Sequence, residues 1–277
     1  MTELVVAAIQ LTSTNCWQDN LREVSRLVSA AVRDGARLVV LPENVFLFNG
    51  KGMRGLAEST DQDILFKEMS ALAKKNAIYL VVGSHPALLR PNGEQVAATR
   101  VRQTCWVIDP DGCVYERYDK IHLFDVMVSD KAATYKESDV IEPGEWTLKV
   151  IEVDGFKVGL SICYDLRFPE LYRELVKLGA EILLVPAAFT YVTGKAHWDT
   201  LLAARAIENQ CYVLGVGQCG WHNETRQTYG HSALYSPWGE RLVGMGEEPG
   251  YFVFRVNKQS LNTVREKMPC FYHRRLI

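Results

Sequence analysis

Apolar stretches of strand length alternate along the chain with stretches whose apolar residues recur at helical spacing. LVVAAIQL (4–11) predicts a first strand. In DNLREVSRLVSAAVRDG, which follows, Leu21, Val24, Leu27, Val28, Ala31 and Val32 fall on one face of a helix. Asp19 offers a cap at its start and Gly35 a stop at its end. ARLVVLPE (36–43) predicts the next strand, DQDILFKEMSALAKKN (61–76) a helix and IYLVVGSH (78–85) another strand.

The period then changes. RQTCWVIDPDGCVYERYDK (102–120) sets two strands around Asp109-Pro110-Asp111-Gly112, a strong hairpin signal. WTLKVIEVDGFKVGLSIC (146–163) repeats the form with Asp154-Gly155 as its turn. FPELYRELVKLG (168–179) predicts a helix, with Pro169 near its first turn and Gly179 just past its end. A strand (181–189), a helix (196–210) and a strand (211–218) come next. HSALYSPWGERLVG and GYFVFRVN read as a further hairpin-like pair, and KQSLNTVREKM (258–268) as a closing helix.

Each half therefore runs strand, helix, strand and hairpin. Strands that are nearly all apolar suit sheets covered on both faces. Two sheets inside and helices outside give an α/β fold, a four-layer α-β-β-α sandwich. No Pro/Gly/Ser-rich linker divides the chain, so 1–277 reads as one domain. FDVMVSDKAATYKESDVIEPGE (124–145) is polar and irregular; loops of that size in compact domains are functional or disordered.

Composition narrows the class. Of 277 residues, 48% are hydrophobic and 23% charged, as in ordinary globular chains. Such a chain can bury a sizeable core without disulfides or a metal. With 31 basic and 33 acidic residues and no basic tract, it carries no nucleic-acid footprint. No apolar run reaches the roughly 18–20 residues of a membrane span. MTELVVAAIQLTS lacks the basic start of a secretory leader and carries Glu3. The seven cysteines are odd in number, scattered and free of C-x-x-C, which argues against a disulfide framework and a zinc site. Reduced thiols in a cytoplasmic protein are the simplest expectation.

Three predicted strands end in chemically capable groups: LVVLPE in Glu43, VYERYDK in Lys120 and VGLSIC in Cys163. Singly, each has a bland explanation: a small core cysteine, a loop carboxylate, a surface lysine. Together they make a set. A thiol with an ordinary pKa of ~8.5 is mostly protonated at neutral pH. A carboxylate in hydrogen-bond reach takes that proton as sulfur attacks. An ammonium and the backbone N–H after the nucleophile stabilise the oxyanion, one such donor being worth about 3–4 kcal/mol. Cysteine-based amide hydrolysis then needs no metal and no cofactor.

On these residues the chain resembles the nitrilase (carbon–nitrogen hydrolase) superfamily from end to end. The similar stretches are VVLPENVF (39–46), YDKIHLFDV (118–126), YKESDVIEPG (135–144), SICYDLRFPEL (161–171), TGKAHWDTLLAARAIENQCYV (193–213) and YGHSALYSPWG (229–239). CYDLRFPEL, TGKAHW and ARAIENQCYV, with MPCFYHRR (268–275), are most similar to the branch holding deaminated-glutathione amidase and omega-amidase. The resemblance implies an α-β-β-α sandwich whose subunits form a homodimer or a higher homo-oligomer. It implies Glu43 as general base, Lys120 as oxyanion holder and Cys163 as the thioester-forming nucleophile. Glu137 in YKES would be a second carboxylate positioning Lys120, with Glu142 its competitor. Asp199 in AHWD stands where relatives often have Glu.

Around this set, the Tyr164 N–H is the natural second oxyanion donor. Arg167 either holds a substrate carboxylate or pairs with Asp165 or Glu170; Lys195 is a second candidate cation. Phe189, Thr190 and Thr193 are expected to line the pocket, with specificity set by loops around 44–60, 124–145 and 189–196. His122 and His197 suggest a Cys–His pair, but His197 precedes Trp198 on an amphipathic helix and reads as structural. GVGQCG matches G-x-G-x-x-G without the helix a dinucleotide site needs, and GLSIC is not G-x-S-x-G. The expectation is a cysteine amidase acting on a small-molecule amide through a thioester on Cys163, with ammonia released. Deaminated glutathione or a related 2-oxo amide such as 2-oxoglutaramate is the expected substrate. A nitrilase acting on a nitrile, or an N-carbamoyl amidohydrolase, would use the same residues. A catalytically idle scaffold is the reading from another class, and the intact Glu43, Lys120, Glu137 and Cys163 speak against it.

Overall fold

Strand β1 (Glu3–Gln10) shows why the chain forms layers. Its side chains alternate between two apolar clusters: Val6 and Ala8 join Val158, Leu160 and Leu184, while Ala7 and Ile9 join Val24, Leu27, Leu65 and Met69. A strand apolar on both faces must be covered on both. The computed structural model describes residues 2–276.

In chain order β1 is followed by α1 (Trp17–Arg33), β2 (Leu38–Val40), α2 (Met53–Glu58), α3 (Asp61–Asn76) and β3 (Tyr79–Ala87). Then come β4 (Arg102–Ile108), β5 (Val114–Asp119), β6 (Asp125–Met127), β7 (Thr134–Lys136), β8 (Val150–Val153) and β9 (Phe156–Leu160). The rest is α4 (Pro169–Lys177), β10 (Ile182–Ala187), α5 (Tyr191–Asn209), β11 (Tyr212–Gly217), β12 (Cys219–Trp221) and β13 (Gln227–Tyr229). Strands β14 (Ala233–Tyr235), β15 (Arg241–Gly244) and β16 (Gly250–Asn257) and helix α6 (Lys258–Lys267) complete it.

Two six-stranded mixed sheets form the middle layers, ordered β16-β1-β2-β3-β4-β5 and β15-β14-β11-β10-β9-β8. Helices α1 and α3 cover the outer face of the first through Val24, Leu27, Leu65 and Met69. Helices α4 and α5 cover the second through Leu171, Leu175, Trp198 and Leu202. The result is the single-domain four-layer α-β-β-α sandwich. Leu11 forms a parallel bridge with Gln218, which ties the two sheets at the end where the chemistry lies. Among the described residues, no helix is long and apolar enough to cross a membrane. The seven cysteines are all free thiols.

Several boundaries differ from expectation. Helix α1 starts at Trp17, so Asp19 lies in its first turn, near the positive end of the helix dipole, and is not the cap. Helix α5 starts at Tyr191, because the Thr190 hydroxyl caps it by accepting from the Thr193 N–H at 3.2 Å. Gly194 obscures that start in the sequence. It is required inside the helix because a Cβ there would sit 2.2 Å from Tyr229 Cβ. The strand expected over 36–43 shortens to three residues. The irregular 124–145 segment contains the β6–β7 pair and a 3-10 turn at Glu137–Asp139. GYFVFRVN does not pair with its neighbour β15. It crosses to the first sheet as β16 and lies antiparallel to β1, Gly250 opposite Gln10. The short helix α2 and the β12–β13 hairpin carry no clear periodicity and escape a sequence reading.

Candidate active site

Glu43 follows β2 by three residues and is 1% exposed. Its approach is fixed by two neighbours. The β3 backbone at Gly83 runs so close that a Cβ there would meet Leu41 O at 2.1 Å. Gln218 donates to Glu43 O at 2.9 Å from the other sheet. Lys120, directly after β5, is fully buried, and its N–H donates to Gln103 O. Its Nζ donates to Glu43 Oε1 at 2.8 Å and to Glu137 Oε2 and Oε1 at 2.8 and 3.0 Å. Gln103 Nε2 donates to the same Glu43 oxygen at 2.9 Å, and the Phe124 N–H holds Glu137 Oε2 at 2.8 Å. One buried ammonium thus bridges two carboxylates.

Cys163 opens a 3-10 turn after β9, with φ of +49°, the left-handed region that non-glycine residues seldom occupy. Such a conformation persists only where surroundings over-determine it. Asp165 does that here. Its Oδ2 accepts from the Ile162 N–H at 2.9 Å and from Tyr118 Oη–H, on the first sheet, at 2.6 Å. Its Oδ1 takes the His122 N–H at 3.1 Å and lies 2.7 Å from His122 Nδ1. The turn's own bonds run from the Asp165 N–H to Ile162 O and from the Phe168 N–H to Asp165 O, and they do not use the Tyr164 N–H.

Burial pushes the Cys163 thiol well above its ordinary pKa; the Glu43 charge pushes the same way, and Lys120 only partly offsets it. For Lys120, burial works against the charge, but Glu137 and Glu43 outweigh it and hold the ammonium well above its usual range. A neutral thiol beside carboxylates and a permanent cation is the state from which sulfur attacks as a carboxylate removes its proton.

Glu43, Glu137, Cys163, Tyr164, Phe189, Thr190 and Thr193 share the wall of one narrow cleft, with Asn44, Phe124, Ala188 and Arg226. A wider outer cavity of about 470 Å³, lined by Phe48, Asn49, Tyr135, His222 and others, shares Asn44, Glu137 and Arg226 with the cleft. Three candidates lie elsewhere. Glu142 does not reach Lys120; it accepts from Arg90 Nε at 2.8 Å and Arg102 Nη2 at 2.7 Å. Arg167 pairs with neither Asp165 nor Glu170. It lies 3.2 Å from His197 Nδ1 and over the rings of Phe189 and Tyr164 at 5.3 and 5.9 Å, outside the cleft wall. Lys195 is exposed on α5. His122 is occupied by Asp165, and Asp199 accepts from Tyr235 Oη–H at 2.6 Å. Sequence reasoning missed Gln103, Tyr118, Asp165, Gln218 and Arg226, whose roles depend on contacts between sheets and hairpins.

The carbon–nitrogen hydrolase family model matches residues 5–266. Deaminated glutathione amidase from Synechocystis is 43% identical over 276 residues, covering 99% of both chains. The Caenorhabditis elegans NitFhit protein superposes with a TM-score of 0.89 at 36% identity, over 99% of this chain and 66% of that longer one. Saccharomyces cerevisiae Nit3, a member of the nitrilase superfamily, gives 0.84 at 28% identity, over 97% and 95%. A family match over nearly the whole sequence, on this fold and around this cleft, means that the chain belongs to the carbon–nitrogen hydrolase family.

Proposed function

We propose that this hydrolase is a cysteine amidase that cleaves the amide of a short 2-oxo acyl chain, deaminated glutathione or 2-oxoglutaramate. The observation that carries the reading is the buried Lys120 ammonium, bridging Glu43 and Glu137, the two carboxylates that line the cleft with Cys163. The similarity to deaminated glutathione amidases supports the acyl group.

Cys163 Sγ attacks the amide carbon as Glu43 takes the thiol proton. The oxyanion that forms faces Lys120 Nζ and the Tyr164 N–H, in a buried site where such donors act strongly. Protonated Glu43 then gives its proton to the departing nitrogen, the C–N bond breaks, and a thioester remains on Cys163. Ammonia leaves from a primary amide, cysteinylglycine from deaminated glutathione. Water next attacks the thioester carbon while Glu43 takes one of its protons; the C–S bond breaks, and that proton returns to sulfur. Glu137 holds Lys120 in place, and Phe189, Thr190 and Thr193 shape the acyl site.

The test is turnover of deaminated glutathione, 2-oxoglutaramate, a short nitrile and an N-carbamoyl amino acid by the wild-type chain, with Cys163→Ala as control. Turnover of either 2-oxo amide that is lost in the control supports the reading. Turnover of only the nitrile or the N-carbamoyl compound overturns it. The proposal extends to a homodimer, supported by the exposed Ile207 and Trp238, which share one apolar surface cavity with Val264 and Met268; light scattering tests it.

A further inference from the structure

Gln103, on β4, touches both members of the buried ion pair. Its backbone O accepts from the Lys120 N–H at 2.9 Å. Its side-chain Nε2 donates to Glu43 Oε1 and to Asn44 Oδ1, each at 2.9 Å, with Ser84 Oγ at 3.2 Å. The residue is 2% exposed. One amide group thus spans the Glu43 carboxylate, the residue after it and strand β3.

The chemistry of the neighbours dictates which end of that amide faces them. A carboxylate oxygen and an amide oxygen are acceptors, so only the NH2 end can meet both. This orientation leaves Gln103 Oε1 buried with no donor among the described residues. Buried acceptors are ordinarily paired, and an orphaned one costs stability. Gln103 is therefore held for its N–H groups, at the expense of its own carbonyl.

Lys120 Nζ and Gln103 Nε2 both donate to Glu43 Oε1, and no donor among the described residues takes Oε2. The carboxylate is gripped by one oxygen and open at the other. Asn44, directly after Glu43, has φ of +57°, in the left-handed region. Gln103 holds its side chain there, and Ser84 Oγ accepts from its N–H at 2.8 Å. Gln103 does not stand on the cleft wall with Cys163, so whatever it contributes passes through Glu43 and Lys120.

We propose that Gln103 is a positioning residue that fixes which oxygen of Glu43 serves as the base, and that ties the base and the oxyanion-holding lysine into one unit. The inference rests on the amidase reading above and deepens it. The thiol proton passes from Cys163 Sγ to Glu43 Oε2 and from Oε2 to the departing nitrogen, while Oε1 stays on Lys120 and Gln103 throughout.

The test uses whichever amide of the panel above the wild-type chain turns over. Gln103→Met keeps the length of the side chain and removes the donor: kcat falls at least about tenfold, while KM stays within about twofold. Gln103→Glu supplies a signature that a structural role would not give. Its carboxylate has no proton to offer Glu43, but once protonated its O–H donates where the amide did. Two carboxyls held together take up a proton readily. The kcat of Gln103→Glu relative to wild type therefore climbs several-fold from about pH 8 to about pH 6. A Gln103→Met kcat within about twofold of wild type, or a Gln103→Glu ratio flat with pH, overturns the proposal. Both variants are compared as folded protein by circular dichroism; where Gln103→Met does not fold, the pH ratio of Gln103→Glu decides. A crystal structure of Gln103→Met needs no turnover. A Glu43 carboxylate swung off Lys120 or split between two orientations supports the assignment, and one orientation identical to that of the wild type overturns it. Failure of the wild-type chain on every amide of the panel would sink the function proposed above and leave that crystal structure to decide Gln103.

Discussion

Lys120 Nζ and Glu43 Oε1 are 2.8 Å apart, and their side chains are 0% and 2% exposed. Two charges this far from water hold only because each has further partners: Glu137 on the lysine and Gln103 on the carboxylate. Removing one partner of such a pair leaves the other uncompensated, at a cost of about 3–5 kcal/mol. Lys120→Met is expected to destabilise by that order. Adding Glu43→Gln should recover part of the loss, since it removes one of the stranded carboxylates. Urea unfolding of the two variants decides this; a double variant less stable than the single one contradicts the pairing.

Glu43→Gln separates two properties that usually travel together. The Glu43 charge is one of the groups that raise the Cys163 pKa, while Lys120 lowers it. Without that charge the thiol pKa falls, so thiolate forms at lower pH than in the wild type. Amide turnover should nonetheless drop by at least about 100-fold, the order of a lost general base. Thiolate absorbance titrated against a Cys163→Ser reference, alongside activity, measures both. A thiol pKa that rises or stays put in Glu43→Gln would refute the account.

Glu142 gives the pH dependence. Hydrogen bonding from Arg90, the Ala97 N–H and Arg102 holds its carboxyl at about 2, against burial and below an ordinary 4.5. The unfolded chain therefore binds more protons between those values. The stability it contributes is fully present above about pH 4.5 and is lost as pH falls toward 2. Glu142→Gln is expected to cost about 2–3 kcal/mol at neutral pH, the scale of hydrogen bonds to a charged group. Its deficit should shrink as the medium is acidified, and turnover should persist, because Glu142 lies away from Lys120. Denaturation midpoints at pH 7 and pH 3 test the sign.

Gly83→Ala tests the support beneath the base. A methyl group there meets Leu41 O at 2.1 Å and Pro42 O at 2.5 Å, so the chain leading into Glu43 must shift. Overpacking against backbone costs about 1–3 kcal/mol. Loss of kcat well beyond the loss of folded protein, measured on the soluble fraction, is the expected result. Unimpaired kcat would show that the close approach is not needed.

How far these residues could be read from the sequence depends on what fixes them. Glu43, Lys120 and Cys163 each stand at the end of a strand that the sequence predicts, so local pattern exposes them. Glu137 sits in an aperiodic segment and stands out only through the resemblance of YKES to the family. The layers are legible because β1 is apolar on both faces. The partner of β16 is not, since nothing local tells a final strand whether to pair with β15 or return to β1. Arg226 lies in a polar hairpin without periodicity, and its place on the cleft wall is set by the rings of Tyr135 and Phe48, distant in sequence. Arg167 was the natural guess because it stands four residues from the nucleophile, but the turn that presents Cys163 carries it toward His197.

The hydrogen bond from Tyr118 to Asp165 joins the sheet that bears Glu43 and Lys120 to the turn that bears Cys163. The reactive sulfur and its proton acceptor are therefore manufactured by opposite halves of the polypeptide. A ribosome-bound chain ending before residue 160 would hold every charge of the centre and no nucleophile. Competence requires the second layer to be docked on the first. Turnover would then serve as a gauge of how accurately the two layers are aligned, sensitive to sliding too small to alter the helical or strand content.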